Sequence, residues 1–110
     1  MEKQTHSPDT GKPVALEILQ QLGGNRFITM TGARNLSFDD NGALTMHLRR
    51  NTSKAKYLRI EVNSLDLYNM IFRAESKKNH TFPIVAHYQN IYADQLQGIF
   101  TKVTGYNTSL

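Results

Sequence analysis

The feature that constrains this chain most is a pair of short segments in which apolar residues recur at every second position. In 43-ALTMHLRR-50, Leu44, Met46 and Leu48 fall on one side and Thr45, His47 and Arg49 on the other. In 57-YLRIEVN-63, Leu58, Ile60 and Val62 oppose Tyr57, Arg59 and Glu61. Period two is the signature of a strand with one face in a core. The two segments predict adjacent half-buried strands joined by the polar link 50-RNTSKAK-56. Further strands are expected at 26-RFITMT-31, 66-DLYNMIFRA-74 and 82-FPIVAHY-88, with a hairpin turn at Asp39-Asp40-Asn41-Gly42.

Helical spacing frames this strand-rich middle. In 13-PVALEILQQLGG-24, Val14, Ile18, Leu19 and Leu22 share one face, Pro13 suits a first turn, and Gly23-Gly24 supplies a stop. In 90-NIYADQLQGIFTKVTG-105, Tyr92, Leu96, Ile99 and Val103 recur on one face, with Asn90 as the expected cap and Gly105 as the end. Gly98 inside that helix is expected where the helix crosses a strand closely. Residues 1–12 hold Met1 as their one large apolar side chain and are expected to form a flexible tail. The expected fold is therefore α+β: a short N-terminal helix, about five mainly antiparallel strands and a C-terminal helix on one face of the sheet. Residues 13–110 make a single domain, whose expected core sets Leu19, Leu22, Leu96, Ile99 and Val103 against Leu48, Leu58, Ile60 and Val62. No internal repeat is visible.

The strings LGGNRFITMTGARN, NTSKAKYLRIEVNSLDLYNMIF and LQGIFTKVTGYNTSL resemble a family of small proteins encoded by bacteriophages and other mobile elements of bacteria. That resemblance implies a genomic setting and brings with it no activity and no functional residues.

Composition narrows the classes of function. With 110 residues, the chain holds one modest core. It has no cysteine, which excludes disulfides and thiolate metal sites. No apolar run approaches the length of a membrane span, and the opening MEKQTHSPDTGKP lacks the apolar stretch of a secretory signal. A cytoplasmic protein with no membrane partner is expected. The four histidines, His6, His47, His80 and His87, show no H-E-x-x-H and no i, i+4 pair, and no G-x-S-x-G is present. Neither an enzyme nor a cofactor or metal is expected.

Two features remain as candidate sites. In 23-GGNRFITMTGAR-34, glycine-rich turns flank an apolar run, but Gly24 and Gly32 lack the spacing of a Walker loop. One reading makes these glycines turn formers; the other has Arg26, Arg34 and the Gly32 backbone hold a phosphate. The second feature is 49-RRNTSKAKYLR-59, with five cations in eleven residues and no acidic residue. Residues 26–78 as a whole carry ten basic and five acidic side chains. The two strands are expected to bring Arg49, Arg59, Tyr57 and His47 onto one face, and a mobile tip bearing Arg50, Lys54 and Lys56 above them is suited to nucleic acid. Cations and the Thr52 and Ser53 hydroxyls meet phosphates, and Tyr57 offers a stacking surface. The plainer reading is a solvated hairpin whose lysines discourage edge pairing. The expected function is a small nucleic-acid-binding module. The alternative is a protein-interaction module that inhibits or modulates a host or phage complex, such as a defence-system inhibitor.

Overall fold

The computed structural model describes residues 8–108. It has three α-helices and a five-stranded antiparallel sheet, an α+β fold as expected. The first helix, α1 (Pro8–Leu22), buries Ala15, Ile18 and Leu22 at three- and four-residue spacing. It begins earlier than the expected start at Pro13, which falls inside the helix and leaves one earlier carbonyl without its i+4 donor. The expected tail is corrected accordingly: residues 8–12 belong to α1, while 1–7 lie outside the described residues. Within this added turn Gly11 is buried against the turn 39–42, where a Cβ would stand 2.0 Å from the Asp39 carbonyl oxygen.

The segment 26–31, expected as a strand, is a helix: α2 (Gly24–Thr31). Its β-branched and aromatic residues favour a strand locally, but Phe27 and Thr31 are its buried residues and stand one helical turn apart. Burial of that pair outweighs propensity. Gly23, at φ 126°, breaks the chain between α1 and α2, and Gly32, at φ 73°, ends α2 in the left-handed conformation.

The strands are β1 (Arg34–Phe38), β2 (Leu44–His47), β3 (Tyr57–Val62), β4 (Tyr68–Arg73) and β5 (Ile84–Ile91), paired in sequence order. The strand count survives because β1 replaces the misread segment. Between β1 and β2 the acidic turn forms as expected, with Asp39 Oδ1 accepting the backbone N–H groups of Asn41 and Ala43, both at 3.0 Å. Register places Leu44 opposite Ile60, Met46 opposite Leu58 and Leu58 opposite Phe72. These side chains form the buried face. Both outer strands carry a bulge with an asparagine at positive φ, Asn35 in β1 and Asn90 in β5, and such irregular edges resist pairing with other chains.

The C-terminal helix also starts later than its expected cap. β5 runs through Asn90 to Ile91, Ala93–Gln95 form a 3-10 turn, and α3 spans Leu96–Thr104. The Tyr92 N–H donates to Gln95 Oε1 at 2.9 Å, so the cap lies two residues beyond Asn90. Gly105 ends α3 at φ 84°, as expected. Gly98 crosses no strand; a Cβ there would meet nothing within 4 Å.

All three helices contribute to one core on one side of the sheet. Phe27 of α2 meets Phe100 of α3 edge-on at 4.9 Å, and Phe72 of β4 lies 6.5 Å from Phe100. Leu22, Leu48, Leu58, Ile60 and Leu96 are buried as expected, with Leu19, Ile99 and Val103 packed at the margin. Val62 departs from expectation: at the last position of β3 it is 40% exposed. Among the described residues, no helix lies over the opposite face of the sheet. Among the described residues, no helix is long and apolar enough to cross a membrane.

Candidate nucleic-acid interface

The link between β2 and β3 is a loop held by its own side chains and by the end of α3. Asn51 organises it, donating from Nδ2 to the carbonyls of Arg49 and Ala55, both at 2.8 Å, and accepting the Ser53 N–H and hydroxyl. Ala55 is buried beneath. The loop is fastened to the end of α3 by the Thr52 hydroxyl, which donates to the Thr104 carbonyl at 3.3 Å, and by the Tyr106 hydroxyl, which donates to the Arg50 carbonyl. Thr52 and Ser53 therefore spend their hydroxyls inside the fold. This corrects the expectation that they serve phosphates.

The five cations of 49–59 separate into committed and uncommitted groups. Arg49 does not join Arg59 on the strand face. Its guanidinium lies 4.4 Å from the centre of the Tyr106 ring, and its stem passes Gly32, where a Cβ would be 3.1 Å from Arg49 Cδ. Arg59 pairs with Asp39 at 3.0 Å and Glu61 at 3.2 Å, and Lys56 pairs with Glu75 at 3.3 Å. For Asp39, burial raises the carboxyl pKa, but hydrogen bonds from Ala43, Arg59 and Asn41 outweigh it and hold the group below the ordinary 3.8. Arg50 and Lys54 are exposed, and among the described residues neither has a carboxylate within ion-pair distance. Lys54 sits at φ 66°, a left-handed residue in the middle of the loop.

A third uncommitted cation joins them from outside the run. Arg34 opens β1 opposite His47, and register brings it to a groove of about 480 Å³ lined also by His47, Arg49, Arg50, Asn51, Lys54 and Lys56. The two readings of the glycine-rich segment are thereby separated. Gly23 and Gly32 end helices; Arg34 reaches the cationic groove; Arg26, exposed on α2, is not among the groove's lining residues. Sequence reasoning left Arg34 out of the second candidate site because its strand went unrecognised.

Tyr57 and Arg59 lie on the open face of the sheet. There Tyr57 contacts His47 edge-on at 4.8 Å, and His47 accepts on Nδ1 a hydrogen bond of 3.1 Å from Asn35 Nδ2. Tyr57 also contacts Phe82 at 5.5 Å, a residue the sequence reading did not single out. The uncommitted arginines and lysine, in a groove that opens beside aromatic rings, can attract and hold a polyanion. No family model matches the chain, and no curated protein and no solved structure matches it.

Proposed function

We propose that the protein is a small non-enzymatic nucleic-acid-binding module, cytoplasmic and of bacteriophage or mobile-element origin. The groove between β1 and the 49–56 loop takes the phosphates, and Tyr57 lies beside them. The observation that carries this reading is the convergence of Arg34, Arg50 and Lys54 on one groove with no ion-paired carboxylate among the described residues. Arg49 and Lys56 line the same groove with their charge partly engaged, and Arg59 is neutralised by two carboxylates. The loop's internal hydrogen bonds fix the backbone that carries Arg50 and Lys54, which lowers the ordering cost of association.

Phosphate contacts discriminate little between sequences, so binding is expected to be salt-sensitive and tolerant of sequence. Fluorescence anisotropy with labelled oligonucleotides over a range of salt tests this. Replacing Arg34, Arg50 and Lys54 together with Ala should leave the fold intact and flatten the log–log salt slope by about two units for a single strand. A parent protein that binds no oligonucleotide at low salt would transfer the groove to an acidic protein surface, the protein-interaction alternative.

A further inference from the structure

The open face of the sheet carries three aromatic rings in consecutive contact. His47 of β2 meets Tyr57 of β3 at 4.8 Å with ring planes 89° apart, and Tyr57 meets Phe82 at 5.5 Å with planes 76° apart. Edge-to-face contact is a favoured aromatic geometry, so each ring fixes its neighbour. Phe82 is nevertheless 46% exposed, and nothing in the described fold covers it. Its position is set by Arg73, whose Nη1 donates to the Phe82 carbonyl at 2.8 Å. Tyr57, Arg73 and Phe82 thus frame a shallow apolar hollow of about 400 Å³.

The hollow is continuous with the cationic groove. A depression lined by Asn35, Thr45, His47, Tyr57, Ile71 and Arg73 shares Tyr57 and Arg73 with the hollow on one side. On the other side it shares His47 with the groove that holds Arg34, Arg50 and Lys54. Asp39 and Glu61 are both occupied by Arg59, and Glu75 is occupied by Lys56. One track therefore runs from a phosphate-attracting end to an aromatic end, with the Arg73 guanidinium beside the rings.

We infer that this track binds single-stranded nucleic acid, with unpaired bases stacking on Tyr57 and Phe82 while the backbone lies in the cationic groove. The inference rests on the phosphate reading and adds the substrate class. A duplex keeps its bases inside the stack and offers the aromatic end nothing, whereas every unpaired base has a face for a ring or a guanidinium plane. Partial exposure of Phe82 beside an arginine fits a surface that waits for a planar partner.

The experiment compares a labelled thymidine strand, its uridine equivalent, an abasic strand of equal length and a duplex, all against the full chain at one salt concentration. The base-bearing strands are expected to bind about tenfold more tightly than the abasic strand. Tyr57→Leu and Phe82→Leu should each remove most of that advantage without changing the salt slope, and Tyr57→Phe should restore it. Preference between the thymidine and uridine strands assigns DNA or RNA, and either supports the inference. Equal binding of base-bearing, abasic and duplex ligands overturns stacking and leaves the phosphate reading standing. Absence of binding to every ligand overturns both. Circular dichroism of each variant separates lost stacking from lost folding, and Phe82→Leu, at an exposed position, keeps the test decisive if Tyr57→Leu misfolds.

Discussion

Segments 27–32 and 100–105 carry the same string, a phenylalanine, three residues, a threonine and a glycine, and they end α2 and α3 with the same bonds. Thr31 donates its hydroxyl to the Phe27 carbonyl at 2.7 Å and accepts the Ala33 N–H at 3.3 Å. Thr104 donates to the Phe100 carbonyl at 2.9 Å and accepts the Tyr106 N–H at 3.2 Å. Each glycine then adopts positive φ, and the two phenylalanines meet in the core. The difference lies in what each end touches. Gly32 admits the stem of Arg49, while the end of α3 takes Thr52 on its Thr104 carbonyl. Both helix ends thus grip the same loop from different sides. Helix C-termini carry partial negative charge, so the cation that touches them, Arg49, has a structural reason for being there. Lys56 and Arg59 are held instead by carboxylates, and Arg34, Arg50 and Lys54 are the cations left for a ligand.

The largest effects should fall on the shared phenylalanines. Phe27→Ala and Phe100→Ala are each expected to cost about 3–5 kcal/mol, because both side chains are fully buried against each other. Because they border one space, the double variant should lose less than the sum of the single losses. Urea denaturation measures all three. A single variant that loses under about 1 kcal/mol would show that its helix end lies outside the common core.

The glycines should separate the two ends. Alanine at either position pays for a left-handed backbone, about 1–2 kcal/mol. At Gly105 the new Cβ would stand at ordinary contact distance, 3.6 Å, from Thr52 Oγ1, but at Gly32 it would press on Arg49 Cδ at 3.1 Å. Gly32→Ala should therefore lower the melting temperature further than Gly105→Ala. Equal losses would mean that Arg49 swings aside at no cost, and that its stacking on Tyr106 contributes little.

These twin ends also show what was legible in the sequence. β2 and β3 were plain because their alternation has one solution, with Leu44, Met46, Leu58 and Ile60 all inward. Segment 26–31 was ambiguous, since its residues suit a strand as well as one face of a short helix. The string that ends α3 at 100–105 stands also at 27–32, where its glycine ends α2. For the site, the run of cations at 49–59 was visible, but its partners were not. Tyr106, Glu75 and Asp39 are distant in sequence, and only the folded chain reveals that Arg49, Lys56 and Arg59 are engaged. Arg34, noted only with the glycine-rich segment, and Phe82, noted only within a strand, were not joined to this run for the same reason: sheet register and a ring contact bring them in, and no local pattern announces it.

The smallest difference expected between the ends concerns the threonines, and it probes the comparison most finely. Valine keeps the volume of Thr31 or Thr104 and removes the hydroxyl, so the loss isolates two hydrogen bonds at each end. The carbonyl that each hydroxyl addresses belongs to a helix whose backbone bonds remain, so the main cost falls on the N–H left behind. Ala33 is 5% exposed, and its N–H would have no ready access to water. Tyr106 is half-buried, and its N–H can be rehydrated. Thr31→Val should therefore cost about 1 kcal/mol and Thr104→Val about half of that. At this chain length the first is a fall of about 4–8 °C in melting temperature, within reach of a calorimetric comparison. A reversal of the order would place the greater strain at α3, where the same threonine's carbonyl also holds Thr52. Removing its hydroxyl would then loosen the cationic loop as well as the helix.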